Sequence, residues 1–167
     1  MPAAAAPDPQ PAAQPPALLR PAVRADVPAI QRVRHAVREN RLVSRTIGDA
    51  EVVEAIEHSG RGWVVEHEGT VVGFAIGNAE TGNIWALFVD PAHEGRGYGR
   101  RLHDVMVQWL WSRGLRLLWL GTDPKTRAAR FYARAGWRNC GLQPDGELRF
   151  ELQAPAAASG STAGGPA

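Results

Sequence analysis

The feature that most constrains the fold of this chain is a strand–loop–helix unit that runs from residue 83 to residue 114. It begins with the nearly continuous apolar run Asn83–Val89 (NIWALFV), which predicts a central strand buried on both faces. A glycine-rich loop follows, and apolar residues then recur at helical spacing between Leu102 and Leu110, until Gly114 ends the helix. This unit indicates a mixed α/β domain.

The rest of the chain carries shorter segments of the same two kinds, which bring the expected total to about seven strands and four helices. The other strands are expected at 18–21, 63–66, 71–76, 115–120, 137–140 and 148–152. The other helices are expected at 26–39, at 128–135, and through Val52 and Ile56, where Thr46 and Asp49 would form a capping box.

Both ends of the chain have the composition of disordered tails. Residues 1–17 are rich in Ala and Pro, and residues 154–167 are rich in Ala, Gly and Ser, so neither end has large apolar side chains to bury. The folded domain is therefore expected to span residues 18–153. No secretory signal pattern and no apolar stretch approaching 18 residues occurs in the sequence, so we expect no membrane partner.

Charge and cysteine content exclude several functional classes. The 19 basic and 17 acidic residues give a net charge of only +2, and the arginines are spread along the chain. Nucleic-acid binding, which needs a clustered basic surface, is therefore not expected. The single Cys140 excludes a disulfide framework and a Cys-rich zinc site, and it favours the cytoplasm as a reducing compartment. His93 has no second histidine at metal-ligand spacing, so no metal is expected.

The glycine-rich loop has the chemistry of an anion site. Gly95, Gly97 and Gly99 alternate just before the long helix, whose first N–H groups lack partners within the helix. Arg96 and Arg100 add positive charge at the same place. The alternative is a tight turn with solvated arginines. The glycine spacing matches neither a dinucleotide-binding fingerprint nor a Walker A loop.

Two segments together resemble the GCN5-related N-acetyltransferase (GNAT) family. The stretch Val89-Asp90-Pro91 followed by Glu94–Gly99 (EGRGYG) resembles the family's strand, Val-x-Pro and Gln/Arg-x-x-Gly-x-Gly motif. Residues 126–137 (TRAARFYARAGW) resemble its Ala-x-x-Phe-Tyr-x-x-x-Gly-Phe segment. The resemblance covers residues 18–152. It implies a single mixed, mostly antiparallel sheet whose central strands splay apart.

The resemblance also implies acetyl-CoA as acetyl donor, with the pantetheine inserted between the splayed strands. By position, the main chain of Leu87–Val89 would pair with the pantetheine and polarise the thioester carbonyl, and the glycine loop would wrap the pyrophosphate. The residues implied in cofactor binding are Leu87, Phe88, Val89, Glu94, Gly95, Arg96, Gly97, Tyr98, Gly99, Arg100 and Lys125.

Tyr132 is the catalytic residue that the resemblance implies. Amine attack on a thioester expels a thiolate, and a tyrosine hydroxyl held at the sulfur can donate the proton that this thiolate takes. Small residues at helical spacing, among them Ala128 and Ala129, leave room for a ligand beside Tyr132. The alternative for Tyr132 is a core position like that of Phe131.

The sequence departs from the family pattern at three places. Glu94 stands where the family has Gln or Arg, a position unfavourable beside phosphates unless Arg96 or Arg100 pairs with it or the side chain points away. Lys125 replaces an Asn, and Trp85-Ala86 stands where a glutamate often serves as general base. The base is therefore left open, and the candidates are Glu39, Glu80, His35 or water.

The function expected from these residues is direct transfer of acetyl from acetyl-CoA to a primary amine, with a small molecule as acceptor. Two alternatives stay open: a non-catalytic acyl-CoA-binding regulatory module, and a protein N-terminal or lysine acetyltransferase. The sequence does not distinguish acetyl from a longer acyl group. Relatives in the family often dimerise, so a homodimer also stays open.

Overall fold

The computed structural model describes residues 17–37 and 46–156. Most of the two expected tails and the candidate base Glu39 lie outside these ranges. The described chain forms seven strands and four helices. In chain order they are β1 Leu18–Pro21, α1 Val27–Ala36, α2 Asp49–Glu57, β2 Gly60–His67, β3 Thr70–Asn78, β4 Ile84–Val89, α3 Tyr98–Ser112, β5 Leu117–Thr122, α4 Arg127–Arg134, β6 Arg138–Leu142 and β7 Leu148–Gln153.

The strands form two antiparallel sheets that meet at one point. The first sheet has the order β1-β2-β3-β4 and the second has the order β5-β7-β6. Between β4 and β5 the described chain has a single parallel bridge, from Asn83 to Trp119. The two strands diverge beyond this bridge. The expected mixed α/β fold with antiparallel strands is confirmed, and the divergence occurs between the two central strands.

Local sequence explains where the main helices begin and end. Gly97 precedes α3 with a left-handed φ of 81°, and Gly114 follows it with a φ of 89°, conformations that favour glycine. Thr126 caps α4 by accepting a hydrogen bond from the Ala129 N–H. The capping box expected at Thr46 is wrong, because Gly48 is the N-cap of α2 and makes no side-chain hydrogen bond. None of the helices in the described chain has the length and apolar character of a bilayer crossing.

Two apolar clusters lie on opposite faces of the β1–β4 sheet. One lies under α3 and α4 and includes Leu102, Met106 and Leu110, which are fully buried. The other lies under α1 and α2 and includes Ile30 and Val52. Helices on both faces bury β3 along almost its whole length. In β4, which the apolar run from residue 83 to residue 89 predicts to be buried on both faces, only Ile84 and Ala86 are buried and the other four residues are half-buried.

An ion-pair network fixes β1 to α1 and β2. The Arg20 guanidinium donates to Asp26 Oδ2 and to Glu66 Oε1, both at 2.8 Å. Asp26 also accepts from the Val23 N–H at 2.8 Å. Arg20 holds the pKa of the Asp26 carboxyl below its ordinary value of 3.8, so this carboxyl stays charged at neutral pH.

Truncation of a fully buried side chain of α3 tests the core. We expect Leu110→Ala to lower the free energy of unfolding by about 2–5 kcal/mol, because it removes buried methyl groups and leaves a cavity. The matched control is Gln108→Ala on the exposed side of the same helix. This substitution should change the free energy of unfolding by no more than about 0.5 kcal/mol. Urea denaturation followed by tryptophan fluorescence measures both. Equal effects of the two substitutions would contradict the assigned face of α3.

Candidate active site

A cleft of about 230 Å³ opens where β4 and β5 diverge. One wall is β4 from Ile84 to Val89, and the opposite wall is the end of β5 from Leu120 to Thr122. The remaining lining comes from the end of α1, from the loop and first turn that begin α3, and from α4 with its N-cap, and it comprises Val37, Glu94, Gly99, Thr126, Arg127, Ala128, Phe131 and Tyr132. The cleft therefore runs from the strand bridge towards the glycine loop.

The wall formed by β4 is an open strand edge. On its other side, β4 pairs with β3 from Phe88 opposite Phe74 to Ile84 opposite Gly77. Towards β5, the described residues form only the bridge beside Asn83. Main-chain N–H and C=O groups on this side of β4 can therefore pair with an extended ligand, as they would with another strand.

The far end of the cleft meets the N-terminus of α3. Gly95 and Gly97 have left-handed φ values of 75° and 81°, and a Cβ atom at either position would meet no atom within 4 Å. Backbone conformation, rather than lack of space, therefore explains these two glycines. The turn that they form leads into α3, a helix of 15 residues whose first N–H groups have no partner within the helix. This end of the cleft suits an anionic group.

Glu94 forms an ion pair at the rim of the cleft, but with a partner that the sequence did not indicate. Its carboxylate accepts a hydrogen bond from Arg127 at the start of α4, and both residues line the cleft. Neither Arg96 nor Arg100 is that partner, because Arg100 donates to Asp104 Oδ1 at 3.0 Å and no ion pair joins Arg96 to Glu94 in the described chain. Arg127 therefore offsets the negative charge that Glu94 places beside the anion site.

Tyr132 lies on the wall of the cleft with its ring buried. The ring packs against Trp137 and Phe131, with centroids 5.3 Å away in each case, and against Phe150 at 6.2 Å. Burial raises the pKa of the Tyr132 hydroxyl well above its ordinary value of 10.0. This hydroxyl makes no hydrogen bond to another described residue, so it is a protonated donor available to a ligand.

A buried histidine supports the ring that packs against Tyr132, and no pattern in the sequence indicates it. The Trp137 indole N–H donates to His103 Nε2 at 2.9 Å, and His103 Nδ1 lies 2.8 Å from Asp104 Oδ1. Nε2 accepts a hydrogen bond, so the proton of the neutral ring belongs on Nδ1, where it is donated to Asp104. Burial lowers the pKa of His103 below its ordinary value of 6.5, which favours this neutral form.

The structure brings part of the predicted cofactor set together. Leu87, Phe88, Val89, Glu94 and Gly99 line the cleft with Tyr132, whereas Gly95, Arg96, Gly97, Tyr98, Arg100 and Lys125 are not part of its lining. The Tyr98 ring is buried and its hydroxyl lies 2.8 Å from His67 Nδ1, so only the main chain of Tyr98 can serve an anion at the loop. The Lys125 side chain is exposed beside α4.

The candidate bases and metal ligands do not gather at the cleft. Glu80 and His35 are exposed and do not line it, and Glu39 lies outside the described residues. Within residues 17–37 and 46–156, no group of three or more His, Cys, Asp or Glu side chains could hold a metal ion.

An open strand edge that leads to a helix N-terminus, with a protonated tyrosine between them, defines a binding cleft for a long ligand with an anionic end. The model of the acetyltransferase (GNAT) family matches residues 30–137, well over half of the chain. The chain belongs to this family, and the resemblance noted in its sequence is confirmed.

Solved structures of acetyltransferases share the fold at low sequence identity. PaiA N-acetyltransferase from Thermoplasma acidophilum, in complex with coenzyme A, has a TM-score of 0.71 at 12% identity, and the match covers 83% of this chain and 99% of that one. YncA from Salmonella typhimurium, a putative acetyltransferase with its cofactor acetyl-CoA, has a TM-score of 0.66 at 22% identity, covering 86% and 96%. The ribosomal-protein-S18-alanine N-acetyltransferase from Escherichia coli has a TM-score of 0.67 at 18% identity, covering 87% and 97%.

A curated relative matches a shorter region. It is an uncharacterized N-acetyltransferase of Methanocaldococcus jannaschii, 35% identical over 86 residues. The match covers 45% of this chain and 38% of the relative's length.

The neutral state of His103 predicts a pH dependence of stability. The pKa of His103 is lower in the folded than in the unfolded chain. Its contribution to the free energy of unfolding is therefore complete above about pH 6.5 and is lost as the pH falls through the folded-state pKa. In the unchanged protein, His103 should make the unfolding free energy fall by up to about 1.4 kcal/mol per pH unit below about pH 6.5. We expect His103→Gln to remove this slope.

Denaturant unfolding between pH 5 and pH 8 measures this slope. The matched control is His58→Gln at the exposed C-cap of α2, which should leave the profile as it is in the unchanged protein. A profile of the His103 variant that coincides with that of the unchanged protein would contradict the neutral assignment.

Proposed function

We propose that this protein is an acetyl-CoA-dependent N-acetyltransferase that transfers the acetyl group directly to the primary amine of a small molecule. The observation that carries the proposal is the position of Tyr132, whose protonated hydroxyl borders the cleft beside the open edge of β4. Family membership makes an acetyl-CoA thioester the natural occupant of this cleft. Solved relatives with coenzyme A or acetyl-CoA support the same occupant.

The cofactor-binding roles follow from the shape of the cleft. The main chain of Leu87, Phe88 and Val89 lies along the open edge, where it would pair with the amides of the pantetheine arm. The N–H groups that begin α3 would bind the pyrophosphate, together with the turn through Gly95 and Gly97. Arg96, Arg100 and Lys125 would contribute through their positive charge, and Tyr98 and Gly99 through their main chain.

The chain's own groups account for two demands of the reaction. Bound acetyl-CoA supplies a thioester whose carbonyl carbon the amine attacks, and negative charge develops first on the carbonyl oxygen. An N–H on the open edge of β4 would stabilise that oxygen. As the C–S bond breaks, the Tyr132 hydroxyl would donate its proton to the thiolate. Its raised pKa keeps the hydroxyl protonated, so it can donate a hydrogen bond to the sulfur as negative charge develops there.

Two cavities beside the cleft support a small-molecule acceptor. One, of about 170 Å³, lies against α2 and shares Trp85 with the cleft. The other, of about 330 Å³, lies under the turn between β6 and β7 and shares Leu120 and Gly121 with the cleft. The second cavity is of the size that small ligands occupy. Carboxylates in their walls, such as Glu54 and Glu147, suit a cationic amine.

An acceptor screen tests the proposed activity. Purified protein, acetyl-CoA and a panel of small primary amines should release free coenzyme A thiol at a rate that depends on the amine. The same assay with short peptides examines a protein N-terminus or lysine as acceptor. Tight acetyl-CoA binding in calorimetry without thiol release from any acceptor would favour the second candidate, a non-catalytic acyl-CoA-binding module, which the apolar Trp85-Ala86 on β4 favours.

Removal of the Tyr132 hydroxyl tests its proposed role as the general acid. We expect Tyr132→Phe to lower kcat by about 10-fold or more, because the thiolate then leaves without a positioned proton donor. The ring contacts that hold residue 132 survive this substitution, so affinity for coenzyme A should stay within about threefold of the unchanged protein. Steady-state thiol release and calorimetry measure the two quantities. Full turnover by the Phe variant would remove Tyr132 from the mechanism.

The ion pair at the rim gives a separate test of cofactor binding. We expect Arg127→Ala to weaken coenzyme A binding by about three- to tenfold, because the Glu94 carboxylate then faces the phosphates without its counter-charge. Addition of Glu94→Gln to that variant should restore most of the affinity. Calorimetric titration of the two single variants and the double variant measures the coupling. If Glu94→Gln alone lost as much affinity for coenzyme A as Arg127→Ala, Glu94 itself would bind the ligand favourably.

A further inference from the structure

A carboxylate on the turn between β6 and β7 lies directly on strand β5. A Cβ atom at position 121 would come within 3.2 Å of Glu147 Cδ and would collide with its Oε2. Gly121 has no left-handed backbone, so what its missing Cβ affects is the space beside β5. The Glu147 carboxylate occupies the volume that a side chain at position 121 would need.

Gly121 places this carboxylate next to the cleft. Gly121 lines the cleft between β4 and β5, and it also lines the cavity that Glu147 borders. Leu118 and Leu120 point into the core under α3 and α4, so Trp119 and Gly121 point to the opposite side of β5. Glu147 therefore approaches the cleft from the side away from α4, which carries Tyr132.

The turn holds Glu147 in place but leaves its carboxylate free. The Glu147 N–H donates to Asp145 Oδ1 at 3.0 Å, and its C=O accepts from the Gln143 N–H at 2.8 Å. In the part of the chain that the structure describes, the Glu147 carboxylate has no hydrogen-bond or ion-pair partner. The nearby cation Arg149 is engaged elsewhere, since it donates to Glu151 Oε1 at 2.9 Å and stacks on Trp119 at 4.6 Å.

The charges around Glu147 favour its role as a proton acceptor. Burial raises the pKa of its carboxyl above the ordinary value of 4.5, and Asp145 on the same turn and Asp123 after β5 raise it further. A carboxylate with a raised pKa binds a proton more strongly than an ordinary one. An incoming ammonium group would find a negative site without a competing cation.

The other carboxylates near the cleft lack this combination. Strand β4 presents Trp85 and Ala86 where a base would face the ligand, so it offers none. Glu94 lines the cleft but is paired with Arg127. Glu80 is exposed and lines neither the cleft nor the cavity that Glu147 borders.

We propose that Glu147 is the general base of this protein, binding the protonated acceptor amine and taking its proton directly or through one water. The proposal rests on the proposed acetyl transfer. The amine's N–H bond breaks, its proton goes to a Glu147 oxygen, and the nitrogen lone pair forms the new C–N bond at the thioester carbon. The C–S bond then breaks, and the thiolate is protonated from Tyr132. The second proton leaving nitrogen restores the Tyr132 hydroxyl, and Glu147 releases its proton to solvent.

The test compares Glu147→Gln with the unchanged protein on two kinds of amine. With an alkyl amine, whose pKa is about 10, we expect kcat/KM at pH 7 to fall by about 100-fold. With a weakly basic amine that is already unprotonated at pH 7, such as a hydrazide, the same substitution should change kcat/KM by less than about threefold. The matched control is Glu68→Gln at the exposed β2–β3 turn, which should match the unchanged protein with both amines.

The pH profile of kcat/KM distinguishes a general base from a residue that only shapes the site, because loss of a merely structural Glu147 would not shift its acidic limb. With the alkyl amine, the acidic limb of kcat/KM should follow the Glu147 carboxyl in the unchanged protein, and it should move up towards the pKa of the free amine in Glu147→Gln. Affinity for coenzyme A should be the same in both, which shows that the variant is folded.

Three results would overturn the assignment. Equal kcat/KM of the unchanged protein and Glu147→Gln on an alkyl amine would remove Glu147 as the base while leaving acetyl transfer intact. An equal loss on both kinds of amine would mean that Glu147 only shapes the site. Absence of turnover by the unchanged protein with every acceptor would refute the proposed function itself, and the base assignment with it.

Discussion

The interaction on which the site depends is the parallel bridge between Asn83 and Trp119. It joins β4 to β5 at one end and leaves them to diverge at the other, so one seven-stranded arrangement becomes two sheets with a cleft between them. Trp119 reinforces this junction with its N–H to Gly82 O at 3.0 Å and its indole to Thr81 O at 3.1 Å. Four parts of the proposed mechanism are arranged along the divergence: the open edge of β4, the N-terminus of α3, Tyr132 on α4, and Glu147 behind β5.

The sequence predicted those parts of the fold that depend on residues close together in the chain. Helix α3 followed from apolar side chains at helical spacing, and its glycine loop followed from residues within a few positions of its start, because periodicity and turn chemistry are local. Tyr132 and the segment 87–89 were found through the family motifs, and both line the cleft. The strand boundaries were less accurate, since β5 begins at Leu117 rather than at residue 115.

The contacts that the sequence could not show join residues far apart in the chain. Glu94 and Arg127 are 33 positions apart, and His103 and Trp137 are 34 apart. No local spacing relates such pairs, so the expected partners of Glu94 were its neighbours Arg96 and Arg100, and His103 looked like one more residue of an amphipathic helix. Glu147 was overlooked for the same reason, because its place depends on a glycine in another strand. The fold alone brings these groups together.

The open edge of β4 has a consequence for the empty protein. Unpaired strand edges can recruit other chains, and most proteins cover them permanently. Here a ligand that pairs with β4 would act as the missing neighbour, so it would stabilise the folded state in proportion to the logarithm of its concentration above the dissociation constant. Such a ligand is then also a structural component, and the folded fraction of the protein would depend on the cell's supply of the molecule that it consumes.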